Sequence, residues 1–251
     1  MSDIVVIKDL RLLFGPARNQ GARPTCLAFA TSDTHAAARG EWTPLSCEYL
    51  FFQAQRRSSR LSTQGALPAA ILGALKKVGQ PEEDGWPYLP KSPEDESTWH
   101  PPGNVIPLYG RNGRGIAASI ADVIGLIDKG IPLVLLMTLS LSFFRPTSEG
   151  IVTPAKGEQP EPERRHAVIA VAHGLVDNKR SVLVRNSWGS RWGASGYAWL
   201  TEDFLEPRLG RNRITGGRRC IWQFRRSLIA KPRGAKPFAW SMRIQAMKRT
   251  T

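Results

Sequence analysis

The sequence predicts an α+β fold built as two lobes. Helix-type segments dominate the first half of the chain and strand-type runs the second, and a Pro-, Gly- and acid-rich crossing over residues 79–115 lies between them. At 251 residues and 41% hydrophobic, the chain can bury a substantial core as one large domain or two lobes.

The elements follow in order. Residues 26–39 are mostly Ala, Phe, Leu and Thr, with Thr25 placed as an N-cap and Gly40 as a stop, so a helix is expected there. A second helix is expected from Ser46 and a third over about 67–78. Residues 118–129 again have helical periodicity, and IPLVLLMTL (131–139) is a buried strand entered by Pro132. Beyond it GIVTP, HAVIAVAHGL, SVLVRNSW, GYAWL and RCIWQF have the β-branched, aromatic and alternating character of strands. A charged loop, AKGEQPEPERR, precedes His166, and Asp177–Arg180 forms a hairpin return. No internal repeat is present. The helical lobe is assigned to about 19–104. The β lobe is assigned to about 105–226 together with the N-terminal segment, and 227–251 to a basic C-terminal extension.

Composition narrows the classes of function. No run of about eighteen apolar residues exists to span a membrane, and MSDIVVIKDLRLLFG mixes charges into its apolar residues, unlike a secretory signal. Three cysteines, Cys26, Cys47 and Cys220, cannot form a disulfide framework without one left over, so a reducing, cytoplasm-like compartment is expected. Charge is uneven: residues 208–251 hold 13 Lys or Arg and no Asp or Glu, leaving 22 basic against 21 acidic residues before them. That end, with Trp222, Phe238 and Trp240 among its cations, is a candidate contact for nucleic acid, an anionic membrane surface or an acidic protein.

Cys26 is the candidate nucleophile. In the first turn of its helix, unpaired N–H groups and the positive end of the helix dipole favour a thiolate by about 0.3–1 kcal/mol, so a neighbouring imidazolium must dominate its activation. Of four histidines, His35 falls on the far side of the same helix, and His100 lies in an exposed Trp-His-Pro-Pro loop. His173, seven residues from His166, leaves the opposite face of their strand. His166 opens that strand beside the hairpin that returns to Asn186, which makes His166 the expected base and Asn186 its orienting partner, with Trp188 shielding their hydrogen bond. The amide N–H of Gln20 and the Cys26 backbone N–H are placed to cradle an oxyanion.

Together these residues resemble the papain family of cysteine peptidases. The resemblance rests on Gln20-Gly21, Cys26 followed by Leu-Ala-Phe-Ala, His166-Ala-Val, Asn186-Ser-Trp-Gly and Gly193 through Tyr197. Gln64-Gly65-Ala66-Leu67-Pro68 extends it, and the similarity covers roughly residues 10–226. It implies a papain-like fold, a helical lobe and a β-barrel-like lobe with the active-site cleft between them. In that fold Gly65 and Ala66 pair with an extended protein or peptide substrate, Ala167 and Leu136 line the main specificity pocket, and Trp192 flanks the leaving-group side. No metal or organic cofactor is implied. Arg23 stands where the family carries a half-cystine, Leu27 replaces a Trp and Ala66 replaces a Gly. About nineteen residues precede Gln20, so a form without the family's long pro-segment is expected. Ala66 and that expectation motivate one alternative, amide transfer, deamidation or crosslinking by the same groups. The basic C-terminus motivates another, a non-catalytic interaction module.

Overall fold

The computed structural model describes residues 1–116, 119–209, 211–212, 218–219 and 221–224. The extension at 227–251, Cys220 and the side chain of Trp222 lie outside the described residues.

Three helices come first: α1 (Cys26–Ala37), α2 (Cys47–Ser58) and α3 (Pro68–Lys77). Eleven consecutive residues of α1, Leu27 to Ala37, are buried. Its Ala, Ser and Thr residues are small enough for packing on every side, which marks an interior helix rather than an amphipathic surface one. The end signals act unequally. Ser46 caps α2 by accepting from the Tyr49 backbone N–H at 3.0 Å. Thr25 occupies the N-cap position of α1 but makes no cap with its side chain, because its hydroxyl is bonded to the Tyr88 hydroxyl at 2.9 Å. Gly40 follows the end of α1 with φ +101°, the left-handed conformation expected of a helix stop.

The strands are β1 (Ile4–Asp9), β2 (Gly113–Ile116), β3 (Leu133–Leu139), β4 (Ile151–Val152), β5 (Glu161–Val176), β6 (Lys179–Arg185) and β7 (Tyr197–Thr201), then the short pair β8 (Arg211–Asn212) and β9 (Arg218–Arg219), and β10 (Ile221–Phe224). Eight of them form one sheet in the order β2-β10-β3-β5-β6-β7-β4, with β1 also paired to β5. Two short helices, α4 (Ile120–Asp128) and α5 (Glu202–Leu205), complete the fold. The architecture is the α+β one expected, with two differences. The N-terminal segment is a strand, and β5 begins at Glu161, so the charged stretch before His166 is already extended.

Alternation along β3 and β5 divides the interior into two cores. Val134, Ala167 and Ile169 pack with α1, α2 and α3, whereas Leu133, Leu135, Met137, Val168 and Ala170 pack with α4 and α5. A bulge between Ala170 and Ala172 resets this alternation. Val171 and Ala172 therefore both join the helical-side core, and His166 and His173 emerge on the same face rather than opposite ones. His173 is occupied there by Asp128 of α4, at 2.7 Å.

Candidate active site

Cys26 is the first residue of α1 and keeps part of its surface open. The backbone N–H groups of Ala167, Leu27 and Cys26 face its sulfur and favour the thiolate, but burial outweighs them and pushes the thiol up. The Ala167 contact brings β5 against the head of α1, one residue beyond His166. Cys47 is wholly buried and its thiol is driven far upward by burial, so it behaves as packing.

His166 Nε2 lies 2.7 Å from Asn186 Oδ1, and the Ser187 backbone N–H donates to the same oxygen at 2.8 Å. Two contacts on one atom fix it as the amide oxygen, so Nε2 carries the proton and Nδ1 is the ring nitrogen left for a reacting group. Trp188 lies over the imidazole, with ring centroids 4.8 Å apart. Phe143 meets the imidazole edge-on at 5.9 Å, and Phe144 stacks on Trp188 at 5.4 Å. This apolar cover lowers the His166 pKa to about 4, the Asn186 hydrogen bond opposing it only in part. His35 is fully buried in α1 with its pKa lowered to about 3 by burial, and His100 is exposed.

Gln20 is tied to the same segment. Its backbone N–H donates to Ser187 O at 2.8 Å, and the Ser187 hydroxyl donates to its Oε1 at 2.6 Å. One proton of its amide nitrogen goes to Arg23 O at 2.8 Å, leaving the second for a ligand. Tyr88 donates from its hydroxyl to Gln20 O at 2.7 Å and also meets Thr25, bracketing Cys26 from the crossing segment.

Buried charge supports these groups. Arg185, next to Asn186, holds Asp33 of α1 at 2.9 Å and donates to the carbonyls of Gly15 and Pro16. Asp33 also meets Arg18, whose other arm reaches Glu83 at 2.6 Å. Arg23 forms a two-armed ion pair with Glu48, at 2.6 and 3.0 Å, and Glu48 also accepts from Trp99 Nε1 and the Leu89 N–H. The contacts of Tyr88, the Ser187 hydroxyl, Phe143, Phe144 and this charge set escape sequence reading, because their partners lie tens to more than a hundred residues away. Only the Phe-Phe step after a buried strand is a local hint.

Leu136 and Ala167 are directly opposed on β3 and β5 and pack, with Ala66 and Cys26, at the edge of one core. The Gly65 carbonyl is held by Arg60 Nε at 2.9 Å. Among the described residues neither backbone group of Ala66 is engaged. Trp192 is buried, its indole donating to Phe143 O at 3.2 Å beneath Trp188.

The profile of the papain family of cysteine proteases matches residues 8–206. Among curated proteins, the chain is 28% identical over 191 residues to pro-cathepsin H of Mus musculus, covering 72% of this chain and 55% of that one. It is 27% identical to the thiol protease aleurain of Arabidopsis thaliana, covering 74% and 52%. The chain thus spans about half the length of these relatives. Among solved structures, xylellain, a cysteine protease from Xylella fastidiosa, superposes with TM-score 0.66 at 21% identity, covering 89% of this chain and 88% of that one. A structure from a study of the mite allergens Blo t 1 and Der p 1 gives TM-score 0.66 at 22% identity, covering 86% and 69%.

Proposed function

This chain belongs to the papain family of cysteine proteases, and we propose that it hydrolyses peptide bonds with Cys26 as nucleophile and His166 as base and acid. Asn186 orients the imidazole, and Gln20 with the Cys26 N–H holds the oxyanion. The observation that carries this reading is the commitment of His166 Nε2 to Asn186 Oδ1, which leaves Nδ1 for the thiol proton. Burial pushes the thiol up and the imidazole down, so neither charge is favoured alone. Moving the proton from sulfur to Nδ1 creates both charges together, and each then compensates the other. The thiolate attacks the peptide carbonyl, forming the C–S bond. The developing oxyanion accepts from the free Gln20 amide proton and the Cys26 N–H. His166 gives its proton to the leaving amine as the C–N bond breaks, then takes one from water, whose attack releases the acid and restores the thiol.

Replacement of the family's half-cystine by the Arg23–Glu48 ion pair supports a reducing, cytoplasm-like location for this protein. The test of the reaction is Cys26→Ala. It is expected to abolish cleavage of a peptide library and labelling by a thiol-directed epoxide, while Cys47→Ala retains both. Labelling that survives Cys26→Ala would overturn the assignment. Product masses separate hydrolysis, which splits the chain, from deamidation, which leaves it whole.

A further inference from the structure

We propose that Arg165 makes this protein select peptides with an aspartate or glutamate close to the bond that is cut. The proposal deepens the peptidase reading above and rests on it. β3 and β5 pair Leu136 with Ala167 and Thr138 with Arg165. Side chains alternate along a strand, so Arg165 and Thr138 leave the sheet on the face of Ala167 and Leu136. That face is the Cys26 side. Val134, Ala167 and Ile169 pack in the core that Cys26 edges, whereas Met137 and Val168 pack in the other. The Ala167 N–H itself faces the Cys26 sulfur. Two residues along a strand span about 7 Å, so Arg165 stands one pleat outward from the reacting sulfur, on the wall past which a substrate chain runs.

The two positions differ in kind. Ala167 is buried and apolar, and Arg165 is exposed at the rim. Among the described residues no acidic side chain forms an ion pair with it. Its one polar contact among the described residues is from Nε to the Pro162 carbonyl, at 3.4 Å. Of the nearby carboxylates, the exposed Glu163 makes no ion pair with Arg165, and the other two are bound elsewhere. Glu161 is paired with Arg164 at 2.6 Å, and Glu158 accepts from Ser142 and the Ala155 N–H. Residues 162–164 leave the pairing between Arg165 and Glu161, which carries Arg164 away over the Phe144 ring and leaves Arg165 as the cation in register with the pocket wall. A substrate carboxylate reaching this rim would gain a partner without displacing one, and a substrate lysine or arginine would meet a like charge.

The test is a proteome-derived peptide library cut by wild type, Arg165→Ala and Arg165→Glu, with Cys26→Ala as the blank. Acidic residues are expected to be enriched over neutral ones by about five-fold at one position within two residues of the cut, the size of a partly exposed ion pair. The enrichment should vanish in Arg165→Ala, turn towards Lys and Arg in Arg165→Glu, and shrink in 1 M salt. Acidic enrichment absent from wild type, or retained in Arg165→Glu, overturns the proposal, as does a loss of cleavage in both variants that ignores substrate charge. Wild type that cuts no more than Cys26→Ala defeats the peptidase reading instead.

Discussion

Ser187 is the point where the side-chain amides of Asn186 and Gln20 meet, and removing its hydroxyl tests whether, in the proposed mechanism, they act as one unit. The backbone N–H of Ser187 fixes Asn186 Oδ1, its carbonyl takes the Gln20 N–H, and its hydroxyl fixes Gln20 Oε1 at 2.6 Å. Ser187→Ala spares the two backbone contacts and frees only the oxygen end of the Gln20 side chain. A neutral buried hydrogen bond contributes about 0.5–1.5 kcal/mol, and a buried acceptor left without a donor costs about 1–3 kcal/mol. Gln20 is 93% buried, so water does little to repair the loss. Deleting an oxyanion donor outright costs about 2.7–4 kcal/mol in barrier. The amide nitrogen is still held by Arg23 O, so the loss should be partial, about 1–2 kcal/mol, or roughly 5–30-fold in kcat/KM. The assay is kcat/KM on a small fluorogenic peptide for wild type, Ser187→Ala, Gln20→Ala and the double variant. Ser187→Ala should cost little in the Gln20→Ala background, because the group it orients is gone. An equal fold-loss in both backgrounds would refute the reasoning, as would an unimpaired single variant.

Further outcomes follow from burial. His166 falls from 6.5 to about 4 in the folded protein, so between those pH values the unfolded chain binds a proton that the folded chain refuses, and stability is lost as pH falls through that window. At about 1.4 kcal/mol per pH unit this reaches about 3 kcal/mol near pH 4, and urea titrations of wild type should show a pH dependence that His166→Gln flattens. For the same reason the acid limb of kcat/KM should lie near pH 4, and a limb at 6.5 would show that the imidazole is not buried as described. Glu48→Gln leaves the Arg23 charge without its counter-ion in the interior, a loss of about 3–5 kcal/mol. Calorimetry should find Tm lower by roughly 6–20 °C.

What could be read from the sequence, and what could not, follows the range of the interactions. The His166–Asn186 contact was readable because one hairpin joins the two residues, and a hairpin return is a local signal. Cys26 at the head of α1 is readable from helix start and stop signals, and Thr25 does stand at the N-cap position, although its side chain makes no cap. Thr25 has the right chemistry for a cap, but Tyr88, 63 residues away, takes its hydroxyl. Counting by twos puts His166 and His173 on opposite faces because it assumes an unbroken strand, and a one-residue bulge has no composition of its own. β1 escaped notice for a similar reason. Val5, Val6 and Ile7 are all exposed, so no inside–outside alternation marks them as a strand.

The charged groups behind the site show why so much of it depends on long-range pairing. A bare charge beside the His166 imidazole would shift its resting protonation, yet aligning α1, β6 and the Gln20 segment requires strong directional contacts. The structure separates the two demands by one residue. Arg185 carries the charge and spends it on Asp33, Gly15 O, Pro16 O and the Tyr197 hydroxyl at 2.8 Å, while Asn186 next to it presents only an amide. Accordingly, burial and the Asn186 hydrogen bond alone displace the His166 pKa, and no neighbouring charge contributes. Alternation along the strand supplies that separation, because adjacent residues face opposite sides of the sheet. A charged residue followed by an asparagine at the end of β6 therefore lets one strand bind α1 on one face and hold the His166 imidazole on the other.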